Sequence, residues 1–219
     1  MKYIKTWDIP LRVFHWSLVA LFATAIITVK IGGNALEWHV FSGLALLALL
    51  IFRILWGFAG GTYAKFSNFV RGPRAILGYV KGKGDKTIGH NPLGGWSVVA
   101  MLALLLAQVV TGLFANDDIF TEGPLYSLVD KDTSDYLTYL HTVNQYVLYG
   151  LIGLHVTAII YYRLFKRENL VSAMITGRKQ VPASIPDAHA SQGGHVILGL
   201  VLLAASVGIT WFISTHWAG

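Results

Sequence analysis

Apolar and polar positions along this chain do not alternate; they separate into blocks. Five apolar stretches, at about 12–30, 36–59, 95–115, 138–163 and 194–215, are divided by charged or glycine-rich connections. A membrane core of roughly 30 Å takes about 20 helical residues to cross, and each stretch is about that long. In lipid the backbone must satisfy its own hydrogen bonds, so runs of this length predict helices. No ten-residue alternation suggests a β-barrel. A shorter amphipathic piece, residues 71–80, predicts a helix lying on the membrane surface. The third connection is long enough for a small surface helix of its own. Residues 177–194, with Pro182 and Pro186, read as a linker into the last stretch. The first stretch follows charged residues and ends at Val29-Lys30 without a small-residue cleavage site, so it is expected to be a retained span.

Composition agrees. Of 219 residues 54% are hydrophobic and only 13% charged, about half the charged share usual in soluble domains. Mean hydropathy is +0.56. The fold class expected is an all-α integral membrane protein, with membrane lipid as its surroundings. A net charge of +6 would suit nucleic acid, but the basic residues flank apolar runs instead of forming a patch interleaved with aromatics, so no nucleic-acid partner is expected. Tryptophans Trp16, Trp38, Trp56, Trp96 and Trp217 stand at span ends, where an aromatic belt accounts for them.

Charge also sets an orientation. The leading segment carries Lys2, Lys5 and Arg12. The second connection carries Lys65, Arg71, Arg74, Lys81, Lys83 and Lys86 against Asp85 alone. The fourth carries Lys166, Arg167, Arg178 and Lys179. The third is acidic, with Asp117, Asp118, Glu122, Asp130, Asp132 and Asp135 around Lys131. The positive-inside rule puts the amino terminus and the second and fourth connections in the cytoplasm, and the acidic connection and carboxyl terminus outside.

Cysteine is absent, which excludes c-type haem attachment, cysteine-ligated iron–sulfur clusters, thiolate zinc sites and disulfides. Redox chemistry here would need histidine. Four of the eight histidines fall in or at the start of spans: His15, His39, His141 and His155. An ionisable residue in a span marks a functional site by default. By depth they sort into two layers, His15 with His155 inside and His39 with His141 outside. Each layer draws on two different helices, as ligation of a haem iron from both faces requires. His141 and His155 are fourteen residues apart on one helix, nearly one face and about 21 Å along the axis. Arg53 stands fourteen residues beyond His39 and faces the same interior, where a guanidinium suits a haem propionate. Gly43, one turn after His39, offers clearance for a flat macrocycle, although small residues also serve ordinary helix packing. The contrasting class is a non-redox transporter or assembly subunit in which the histidines join helices. A proton relay usually adds buried carboxylates, and no span has Asp or Glu near its middle.

These residues resemble a known pattern. WDIPLRVFHW at the first span, HVFSGLALLALLIFRILWGF at the second and GHNPLGGWSVVAMLALLLAQVVTGLF through the third are similar to the bacterial cytochrome b561 family and the b-type cytochrome subunits of nickel–iron hydrogenases. HTVNQYVLYGLIGLHVTA continues the likeness, which covers roughly residues 5–176. It implies a four-helix haem-binding bundle over residues 1–176 holding two haems b on His15, His39, His141 and His155. Residues 177–219, a linker and fifth helix, depart from the shorter four-span members. It further implies electron exchange between the quinone pool and a redox partner, in a bacterial cytoplasmic membrane. That partner is a periplasmic c-type cytochrome, which the acidic outer connection would suit, or another redox subunit such as a hydrogenase. A superoxide:quinone oxidoreductase activity is the alternative carried by the same likeness. For the quinone, His90 and Asn91 of GHNPLGG and Arg12 are the candidates.

Overall fold

The computed structural model describes residues 1–83 and 87–216, with Ala188 described by its backbone alone; Asp85 and Lys86 of the basic connection and Trp217 of the aromatic belt lie outside the described residues. The chain begins with strand β1 (Lys2–Lys5) and helix α1 (Ile9–Ile31). It continues through α2 (Leu36–Ala59), the single turn α3 (Phe66–Phe69), α4 (Pro73–Val80) and α5 (Pro92–Leu113). After the acidic connection come α6 (Lys131–Tyr161), α7 (Leu170–Thr176), β2 (Arg178–Val181) and α8 (Val196–His216). Among the described residues five helices, α1, α2, α5, α6 and α8, are long and apolar enough to cross a membrane. The chain is a multi-pass, all-α membrane protein, as its apolar blocks predict.

Local chemistry fixes where the helices start. Asp8 accepts the Leu11 N–H at 2.8 Å, with Pro10 in the first turn of α1. Asn91 accepts the Gly94 N–H at 2.7 Å, and Pro92 opens α5. Both are N-caps that satisfy a free helix-end donor, with proline where its missing N–H costs nothing. Asp130 accepts the Thr133 N–H at 2.7 Å, so α6 begins at Lys131, seven residues before the apolar run that marks its span. The surface helix expected in the third connection is thereby absorbed into α6, apart from one 3₁₀ turn at Tyr126–Leu128. The expected amphipathic helix is present as α4, with Leu77 and Val80 exposed.

The described chain forms two compact units. The first comprises Met1–Val13, Arg53–Met101 and Ile152–Leu200. Here β1 and β2 pair antiparallel, Lys2 opposite Val181 and Lys5 opposite Arg178. Gly177, at φ 77°, ends α7, and its carbonyl accepts the N–H groups of Thr6 at 2.8 Å and Trp7 at 3.1 Å. The segment expected as a linker is stitched down: Ser191 donates its N–H to Lys5 at 2.7 Å, and Thr62 donates to the Gln192 carbonyl at 2.9 Å.

The second unit comprises Phe14–Phe52, Leu102–Leu151 and Val201–Gly219. Its core is a cluster of aliphatic side chains from three helices, including Leu47 and Leu50 of α2, Leu105 and Val109 of α5, and Leu148 of α6. From α8, Ile213 packs on this cluster, while Ser206 and Thr210 are buried. Small buried residues let membrane helices approach closely, where lipid removes the hydrophobic incentive and packing must hold them.

Candidate functional site

Two histidines meet in the second unit. His39 on α2 and His141 on α6 have ring centres 6.1 Å apart and planes at 80°. Each ring is tied from behind: His39 Nδ1 lies 2.9 Å from the Ala25 carbonyl, and His141 Nδ1 2.8 Å from the Gln108 carbonyl. A carbonyl oxygen only accepts, so each Nδ1 carries a proton, which in a neutral ring leaves Nε2 with its lone pair. Metal-ligating histidines are held in this way, the second nitrogen donating to a carbonyl that fixes tautomer and orientation. Two imidazoles sharing one metal ion, with bonds of about 2 Å, would have ring centres roughly 6 Å apart. The pair therefore has the donor chemistry and a spacing that would suit two imidazole nitrogens on one metal ion. Among the described residues no cluster of three or more potential metal ligands occurs.

The two rings line a cavity of about 260 Å³, together with Gly43, Gly112, Gln145 and Leu148. A Cβ on Gly43 would project into open space, whereas one on Gly112 would stand 2.8 Å from His141 Cε1 and 3.1 Å from Nδ1. Gly112 thus makes the room in which His141 reaches the Gln108 carbonyl. Asn144 donates to the Gln108 side-chain oxygen at 2.7 Å and to the Leu104 carbonyl at 2.9 Å, pinning α6 to α5 beside the site. The acidic connection contributes Asn116, Asp117 and Thr121 to the lining. Asp117 accepts the N–H groups of Ile119, Phe120 and Thr121 at 2.8–2.9 Å. Those bonds, Thr121's first, draw its carboxyl down to about 2.

His15 belongs to this unit too, its ring 5.1 Å from that of Trp16 at 90°. His155 belongs to the first unit, and is partly buried on α6. There Arg53 is 2% exposed, its guanidinium 4.9 Å from the Phe66 ring centre and 5.9 Å from that of Phe69. Arg53 Nη2 donates to the Ala64 carbonyl at 3.2 Å, while Nη1 is buried with no hydrogen-bond partner among the described residues. His90 lies between Trp7 and Phe69, ring centres 4.8 and 5.0 Å away, and its buried Nδ1 likewise has no partner there. Burial first, then the charges of Arg53, His155 and Lys179, lower His90 to about 4. Arg12 donates from Nε to Met174 at 3.3 Å and from Nη2 to Ile175, closing the carbonyl end of α7.

The sequence profile described as prokaryotic cytochrome b561 matches residues 6–177, which is most of the chain. The chain belongs to the prokaryotic cytochrome b561 family. A Bradyrhizobium diazoefficiens protein described as a probable Ni/Fe-hydrogenase B-type cytochrome subunit is 20% identical, over 81% of this chain and 86% of its own. No solved structure gives a significant match. As a b561-family member the chain is a membrane b-type cytochrome of electron transfer, with haem b as cofactor. The donor set at His39 and His141 fits that group, because two imidazoles oriented through Nδ1 beside a largely apolar cavity are what a bis-histidine porphyrin site needs.

Sequence reasoning missed Ala25, Gln108 and Asp8 as parts of these surroundings. Gln108 left a legible trace, an amide in the middle of an apolar span, where a polar group is retained when it has a partner. Ala25 acts through its carbonyl alone, which no residue identity announces. Asp8, 2% exposed, accepts from Trp56 Nε1 at 3.1 Å and Gly61 N at 3.0 Å as well as capping α1. Its place directly after Trp7 at the head of a span disguised it as an ordinary interface residue.

Proposed function

We propose that this cytochrome carries electrons across the membrane between the quinone pool and a redox partner, using two haems b. The observation that carries the proposal is the His39–His141 pair: 6.1 Å between ring centres, with both Nδ1 atoms held by backbone carbonyls. Those residues are the ligands proposed for one haem, with Gly43 opening space beside them. The second ligand pair, His15 with His155, rests on their matching depth along the spans in the sequence. Bound haem supplies a one-electron couple. The chain's residues fix the ligands, exclude water and set the local charge, which together tune such a couple.

Residues 1–176 are proposed as the haem-binding bundle, with 177–219 an addition to it. Arg53 is proposed to pair with a haem propionate, and Arg12 to order the nearby end of α7. Positive-inside charge bias supports an amino terminus in the cytoplasm and an acidic connection facing the periplasm. The partner is proposed to be a c-type cytochrome with a basic face, or a hydrogenase-like subunit. Complementary charge favours the first; the printed description of the Bradyrhizobium relative favours the second.

The test is haem content by pyridine haemochrome in the parent and in His15→Ala, His39→Ala, His141→Ala and His155→Ala. Two haems b per chain are expected, with one lost from each variant and no further loss when both members of a pair are changed. A colourless parent would end the reading. One haem per chain would leave a monohaem protein with no route across the membrane.

A further inference from the structure

The first unit contains a buried cation whose neighbouring carboxylate is committed to other donors. Arg53 is almost fully buried, and removing a charge from water costs several kcal/mol unless a partner of opposite sign meets it. Asp8 is the carboxylate that bears on it electrostatically. Yet Asp8 is already spent on Leu11 N, Trp56 Nε1 and Gly61 N, with Ala64 the acceptor for Arg53 Nη2. Arg53 Nη1 is left over.

A second leftover donor stands against the same aromatic ring. His90 packs on Phe69 at 5.0 Å, and the Arg53 guanidinium lies 5.9 Å from that ring centre. Burial and the neighbouring charges keep His90 neutral near pH 7, so it has one N–H to give. Its buried Nδ1 meets no acceptor among the described residues. Lys179 adds positive charge nearby, although Glu168 meets it at 3.2 Å. Two buried donors, one of them cationic, define the class of group that is missing: a carboxylate, which accepts from both and carries the counter-charge. His155 stands close enough to bear on His90 electrostatically.

We infer that His90 is a cofactor-binding residue, and that with Arg53 it forms a two-donor seat for a carboxylate of the haem held by His155. The inference rests on the di-haem reading but stands or falls separately from it. Donors on a propionate offset its negative charge, and that favours the reduced iron; removing one lowers the potential of that haem. A free carboxylate from solution would offer the same chemistry, so the test has to separate the two sources.

Midpoint potentials are measured by optical redox titration on the purified parent, His90→Phe and His90→Asn. His90→Phe keeps an aromatic ring between Trp7 and Phe69 and removes the donor; His90→Asn keeps an N–H near the Nδ1 position. Both variants are expected to hold as many haems as the parent. In His90→Phe one potential falls by about tenfold in the reduction equilibrium, about 59 mV for one electron. The haem affected is the one that survives His141→Ala, and His90→Asn restores the parental value. Unchanged potentials in His90→Phe with haem retained would overturn the seat. So would a parental potential that follows added acetate or formate, which would give the seat to a free anion. Where His90→Phe does not assemble, His90→Leu, which also lacks the donor, decides in its place: a lowered potential supports the seat and a parental one overturns it. A parent lacking two haems is a failure of the di-haem reading, and is seen before any potential is measured.

Discussion

At the scale of single residues, the His39–His141 site depends on groups smaller than its ligands. Gly112 carries no chemistry, but any Cβ there would stand 2.8 Å from the His141 ring. Gly112→Ala is therefore expected to push His141 off the Gln108 carbonyl and to lower haem content by about one per chain. Haemochrome analysis checks this, and full retention would show that His141 is free to shift. Asp117 makes a pH prediction. Its carboxyl is drawn from 3.8 to about 2 by the Thr121, Ile119 and Phe120 amides. A carboxylate whose folded value is depressed contributes order above its unfolded value and loses it as pH falls through the folded one. Order in the 117–121 loop should thus decline from about pH 3.8 down to about 2, read by hydrogen exchange at the Ile119, Phe120 and Thr121 amides. Asp117→Asn keeps an acceptor oxygen without the charge, and should make that protection independent of pH.

At the scale of elements, legibility followed length. Apolar runs of about 20 residues announce spans whatever surrounds them, so α1, α2, α5, α6 and α8 were readable. The amphipathic α4 was readable for the same reason on a shorter period. Unreadable was whatever depends on partners distant in sequence: β1 and β2 are four-residue strands, nearly all charged or exposed, and become strands only because they meet. The nearness of His39 and His141 was legible from depth, because spans convert residue number into height. The Ala25 and Gln108 carbonyls were not, since every residue has one. Asp8 is the junction that binds α1, the end of α2 and Gly61 together. Asp8→Ala would leave a buried indole N–H and two backbone N–H groups unmet, and is expected to cost ~2–4 kcal/mol. A thermal melt in detergent measures it; Asp8→Asn, which still accepts hydrogen bonds, should recover part of the loss. The last helix offers a sharper case. Ser206 is fully buried in the second unit, so Ser206→Leu should overpack the helix by about 1–3 kcal/mol. An unchanged melt would mean that α8 only leans on the rest.

At the scale of the whole molecule, electron transfer across a membrane needs a direction as well as cofactors, and direction begins with which connection faces which compartment. Charge bias is the physical basis for the orientation: basic connections resist translocation and stay inside, while acidic ones cross without penalty. This chain permits a clean measurement, because it has no cysteine and any thiol introduced is the sole one. Phe120, 95% exposed at the tip of the acidic connection, and Lys81, exposed at the end of α4, are the two reporters. In intact cells a membrane-impermeant maleimide is expected to label Phe120→Cys and to spare Lys81→Cys, with both labelled after the membrane is opened. The opposite pattern would invert the orientation and put the His39–His141 pair on the cytoplasmic side. A soluble periplasmic partner would then have to meet the other end of the molecule, whose basic connections would select an acidic protein instead of a basic one.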